Sequence, residues 1–144
     1  MTATAALTAP RGSVRPLVKS GLVATVAASV ATTVVAALAH GAGISLDISG
    51  EAIPLFGFPQ LTAIFSLIGV ALAVVLARRA GAPRSTFVRT TVALTALSLV
   101  PDVLADAAWD TRVLLMVTHL VAAAIVIPAL ASRLPERGVP GPIR

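Results

Sequence analysis

The chain has 144 residues, of which 57% are hydrophobic and only 12% charged, with a formal net charge of +5. A soluble domain of this size needs a polar rind that this composition cannot supply, so an ordinary soluble fold is excluded. Cysteine is absent, which removes disulfide scaffolds, thiol redox chemistry and thiolate-bound metals.

In chain order, residues 1–19 form a short tail carrying Arg11, Arg15 and Lys19, expected to be disordered on the cytoplasmic side. Four apolar runs follow, at about Ser20–His40, Gln60–Ala77, Thr86–Asp106 and Arg112–Ser132. Each is near the roughly 20 residues that a helix needs to cross a bilayer. The first run admits a rival reading, because Ala37-Leu38-Ala39 resembles a signal-peptidase site that would leave His40 as the mature N-terminus. It is longer than the apolar core of a signal peptide, and its polar residues recur at helical spacing, so a retained span is expected.

Between spans, Gly41–Pro59 holds Pro54, Asp47, Glu51 and several glycines, which is loop chemistry with a short interfacial turn at Ile53–Phe58. Arg78–Ser85 is a tight basic connection, and a few residues around Asp106–Arg112 join the last two spans. The tail 133–144 is rich in proline and glycine, has nothing to bury and is expected to be disordered. Strands are excluded within the spans, because lone strands in hydrocarbon leave backbone groups unpaired and barrels show short alternating segments. The expected fold class is all-α, an integral membrane bundle of four transmembrane helices in antiparallel up-down hairpins.

Ten of the eleven basic residues fall in the two tails and the Arg78–Arg89 region, leaving only Arg112 in the other two loops. By the positive-inside rule both termini face the cytoplasm. The same scatter over separate segments gives no phosphate-binding face, so nucleic acid is not expected as a partner.

In lipid, small and weakly polar residues mark packing faces. Such stripes run through Thr25, Ser29, Thr32, Ala36 and His40, and through Thr62, Ser66, Gly69 and Ala73. The third span offers Thr91, Thr95, Ser98, Asp102 and Asp106, and the fourth Met116, His119 and Ala123. Hydroxyls bonded to carbonyls of their own helix explain most of these without a hydrophilic pathway. Asp102 is different, because an ionised side chain at that depth needs a partner. His119 faces it if the hairpin packs in the obvious register, and Asp106, Ser98, His40, Gln60 and Glu51 lie toward the same side. These seven residues form the candidate polar pocket of the outer half. No metal and no cofactor is expected: each potential ligand comes from a different segment, with no H-E-x-x-H spacing and no phosphate-binding loop.

Gly57-Phe58-Pro59, Ala77-Arg78-Arg79, Ser98-Leu99-Val100-Pro101, Asp106 and, above all, Thr118-His119-Leu120-Val121-Ala122-Ala123 with Ile127-Pro128-Ala129-Leu130-Ala131 resemble a family of small four-helix integral membrane proteins. That family is an actinobacterial domain of unknown function. The resemblance implies a bacterial plasma-membrane location and brings no catalytic residues. Four-helix multidrug transporters need a membrane-embedded glutamate in the first span, which is missing here. The expected function is that of a non-enzymatic membrane component binding a small molecule, a lipid or a partner helix through the polar pocket. The alternative is a proton-coupled small-molecule transporter using Asp102 and His119, and an acid-base or metal-dependent membrane enzyme ranks below both.

Overall fold

The computed structural model describes residues 14–136. Four helices follow one another: α1 Arg15–Gly41, α2 Gly57–Arg79, α3 Pro83–Leu104 and α4 Trp109–Ala131. All four are long and apolar enough to cross a membrane, and large side chains such as Val23, Val26, Phe65, Ile68 and Leu97 project outward from them. An all-α bundle of four spans is therefore the fold.

Three helices begin on prolines that the sequence pattern suggests as loop residues. Pro16 and Pro83 occupy the first turns of α1 and α3, and Pro59 lies in the first turn of α2. The first four N–H groups of a helix have no internal acceptor, so a proline there loses nothing and its fixed φ suits the turn. For this reason α1 starts five residues earlier than expected. Its opening residues belong to the helix and not to a disordered tail, with Leu17 buried in the core.

The start of the C-terminal tail also departs from expectation. Leu134 is buried against Leu17, Phe87 and Leu130. The Arg84 N–H donates to the Pro135 carbonyl at 3.2 Å, and the Arg84 guanidinium meets Glu136 at 2.9 Å. One leucine thus suffices to fasten residues 133–136 across the start of α3. The rest of both expected tails lies outside the described residues.

Packing is centred on α1, which lies against α2 and α4, while α3 lies mainly against α4 and less against α2. The first and third helices therefore occupy opposite corners. Gly21 marks the tightest approach in α1: a Cβ there would stand 2.5 Å from Val70 Cγ2 and 3.0 Å from Leu130 Cδ2. Glycine here leaves room for the side chains of Val70 and Leu130 to pack directly on the α1 backbone.

Two apolar clusters stack along the bundle, one around Phe87 and Leu130 and a smaller one of Ala36, Leu46, Phe58 and Leu114. The smaller cluster belongs to a cap built from the α1–α2 connection. There, β1 Asp47–Ile48 and β2 Glu51–Ala52 pair antiparallel through a turn whose two residues, Ser49 and Gly50, both have positive φ. That conformation matches the twist of a two-residue hairpin. The cap is tied to the rest of the fold by the Ser49 N–H, which donates to the Asp106 carbonyl at 2.7 Å, and by the Thr111 hydroxyl, which donates to the Ser45 carbonyl. Below, this is the hairpin end of the bundle and the opposite one the arginine end.

Candidate functional site

Asp102 stands two residues before the end of α3 and His119 ten residues into α4, about 15 Å from the start of that helix. Contact between them requires α3 to stop short of the hairpin end. The chain makes up the difference in Ala105–Ala108, whose terminal residues have ψ of 140° and 152°. Arg112 secures the recessed terminus, with its guanidinium donating to the Val103 carbonyl at 3.1 Å and the Ala107 carbonyl at 3.0 Å. The lone arginine of the hairpin end is thus committed to one carbonyl in the last turn of α3 and one in the connection that follows it.

Side chains lean toward the N-terminus of their own helix. In antiparallel neighbours Asp102 therefore leans toward the arginine end and His119 toward the hairpin end, and the two meet. His119 Nδ1 lies 2.8 Å from Asp102 Oδ2. The same nitrogen lies 3.0 Å from the Leu115 carbonyl. With two acceptors beside it, Nδ1 carries the hydrogen in the tautomer that avoids repulsion, leaving Nε2 as an acceptor. The N–H is directed at Leu115, so Oδ2 is near the nitrogen yet sealed from solvent without a hydrogen bond of its own. Exposure of the two side chains is unequal, 9% for Asp102 and 39% for His119. A buried carboxylate stands behind an imidazole that opens onto the flank of the bundle.

The remaining candidates stand apart from this pair. Ser98 donates to the Thr95 carbonyl at 2.7 Å, as Thr91 does to Phe87 and Thr95 to Thr91, each at 2.8 Å. Asp106 is exposed and contributes its backbone carbonyl to the cap. Glu51 is exposed on β2 and Gln60 in the first turn of α2. His40, also exposed, lines a cavity of about 450 Å³ in the cap with Ile44, Asp47, Ile53 and Leu55. Neither Asp102 nor His119 reaches that cavity, because the cap sits above the recessed end of α3. Among the described residues no three His, Asp or Glu side chains gather where they could hold a metal ion.

Two contributors are absent from the stripes read in the sequence. Thr111 is fully buried and Thr118 nearly so, and with Leu114 they form the face of α4 turned to α1. Their i, i+3, i+7 spacing was the available signal, displaced about one residue from the stripe through Met116, His119 and Ala123. Arg112 has no signal of this kind, since its role is set by where α3 ends.

Together, the four apolar helices and their inward-facing hydroxyls, carboxylate and imidazole define a multi-pass membrane protein. A model of the Family of unknown function (DUF6069) matches residues 12–136, and the chain belongs to that family. No curated protein and no solved structure matches it.

Proposed function

We propose that this chain is a non-enzymatic component of a bacterial plasma membrane, with both termini cytoplasmic, that binds a partner through the hairpin half of the bundle at His119. The observation that carries the reading is the pairing of a buried carboxylate with a 39% exposed imidazole inside a span. An unpaired imidazole nitrogen facing hydrocarbon is costly, so Nε2 calls for a hydrogen-bonding group from outside the bundle. Asp102 and the Leu115 carbonyl fix the ring so that Nε2 is presented to a donor on a small molecule, lipid or neighbouring helix. The reading of the pair as a recognition element and not a catalyst is supported by its surroundings: among the described residues, the His119 ring meets Asp102 and the Leu115 carbonyl and no third polar group.

Proton-coupled transport through the same pair is supported less well. The hydroxyls of Thr91, Thr95 and Ser98, on the arginine side of Asp102, are each committed as donors within their own helix. The discriminating experiment is native mass spectrometry of the protein released from mild detergent, comparing wild type with His119→Leu and Asp102→Asn. A copurifying species that is lost from His119→Leu supports binding at this site. The same adducts on all three proteins would end the proposal. For the transport reading, proteoliposomes should acidify with wild type and fail to do so with Asp102→Asn.

A further inference from the structure

The arginine end holds more charge than its fold uses. Lys19, Arg78, Arg79, Arg84, Arg89 and Arg133 stand there, against the single acid Glu136, which pairs with Arg84. All five other acids, Asp47, Glu51, Asp102, Asp106 and Asp110, lie toward the hairpin end. Residues 1–13 and 137–144 carry no acidic side chain either.

Two of these cations rise from stripes that face lipid. Lys19 is four residues into α1 and Arg89 six into α3, about 6 and 9 Å in from the helix starts. Lys19 shares its stripe with Leu22, Val23 and Val26, which are 49%, 64% and 65% exposed. Arg89 shares its own with Val92, Ala93 and Ala96, all exposed, while Phe87, on the other side of the helix, is fully buried. A charged head on a long apolar stem emerging from such a stripe extends toward the membrane surface and meets the glycerophosphate layer before it meets bulk water. A soluble acidic protein would have to displace lipid to reach it.

We propose that the arginine end binds anionic phospholipid, with Lys19 and Arg89 gripping the headgroup phosphodiester at two positions on opposite flanks. Two positions follow from the packing, because α1 and α3 occupy opposite corners. Arg78 and Arg79, in the last turn of α2 between them, add positive potential where the helix terminus already favours cations. The fork of Arg89 suits a phosphodiester bidentately. A net anionic headgroup such as phosphatidylglycerol is preferred over phosphatidylcholine, whose own ammonium offsets the phosphate charge.

The test uses the full chain in nanodiscs containing equal phosphatidylglycerol and phosphatidylcholine, with retained lipids counted by native mass spectrometry. Wild type should retain phosphatidylglycerol preferentially. Lys19→Gln with Arg89→Gln should reduce that preference, about fivefold for each cation removed. Arg89→Lys should keep most of it, and Glu51→Gln at the other end should leave it unchanged. Equal retention of the two lipids by wild type, or an undiminished preference in the double variant, would overturn the proposal. Should the double variant not fold, the wild type still decides. Lys19 is the single lysine of the chain, and its acylation by an amine-reactive reagent should slow several-fold when phosphatidylglycerol replaces phosphatidylcholine. Equal rates would count against the site.

Discussion

Substituting leucine for His119 removes the imidazole nitrogen that stands 2.8 Å from Asp102 Oδ2 and leaves a 9% exposed carboxylate with no donor in reach. Leaving a buried polar group without the group that faces it costs about 1–3 kcal/mol, more when it is charged. The partner lost is a neutral imidazole that is itself 39% exposed, so water reaches the rim of the pair, and the loss should be about 3 kcal/mol. Asp102→Leu is milder, about 1 kcal/mol, because the ring keeps its bond to the Leu115 carbonyl. With both residues replaced by leucine nothing polar is stranded, and stability should return to within about 1 kcal/mol of wild type. The single losses sum to about 4 kcal/mol, so the double-mutant cycle should show a coupling near 3 kcal/mol. Asp102→Asn should keep most of the stability, its amide oxygen still facing Nδ1. Unfolding in mild detergent can be followed through Trp109, the one tryptophan, which lies exposed at the start of α4 and away from the substitutions. Losses that add within about 0.5 kcal/mol would refute the coupling.

Gly21→Ala should destabilise by about 1–3 kcal/mol, because a Cβ 2.5 Å from Val70 Cγ2 forces a branched side chain to move. Adding Val70→Ala should recover part of the loss, and a double variant no better than the sum of its parts would remove Gly21 as the crossing point. Arg112→Ala should lower the thermal midpoint by the equivalent of about 1–2 kcal/mol through the freed carbonyls of Val103 and Ala107. Arg112→Lys should not restore it, since an ammonium lacks the fork that spans two acceptors; full recovery by lysine would point to charge alone. For orientation, single cysteines at Ser49 and Ala82 should be labelled from opposite sides of intact cells, with Ser49 outside, and labelling of both by an impermeant reagent from outside would sink the assigned topology.

Which parts of this fold could be read from the sequence follows from how the bilayer acts as solvent. Run length alone identifies four spans, because every backbone group in hydrocarbon must be satisfied within its own helix. Boundaries are harder: Pro16, Pro59 and Pro83 look like chain breakers, yet in a first turn each replaces an N–H that had no acceptor. The Asp102–His119 contact was legible because a short connection between antiparallel helices restricts their register to about one turn. A polar side chain at that depth can then search only a few neighbours. His40, Glu51 and Gln60 were not placeable in the same way. They lie in or beside a connection that folds on itself, and its direction is set by Leu46 entering the cluster with Phe58 and Leu114 and by the Thr111 bond to Ser45.

Helix α4 is the instructive case. In water its inward face would be the apolar one, but in lipid the outward face is equally apolar, and polar residues must mark the packing side. This helix carries two such stripes, Thr111 with Thr118 and Met116 with His119. A reading that assigns one interior face per helix selects one and discards the other. Both are interior, because α4 is the helix shared between α1 and α3: the threonine stripe turns to α1 and the histidine stripe to α3. The second stripe has the thinner cover, since α3 contributes little buried surface of its own beyond Pro83, Phe87 and Asp102. An imidazole placed there stands beside a carboxylate on one side and keeps 39% of its side chain exposed, and on that exposure the proposed partner site rests.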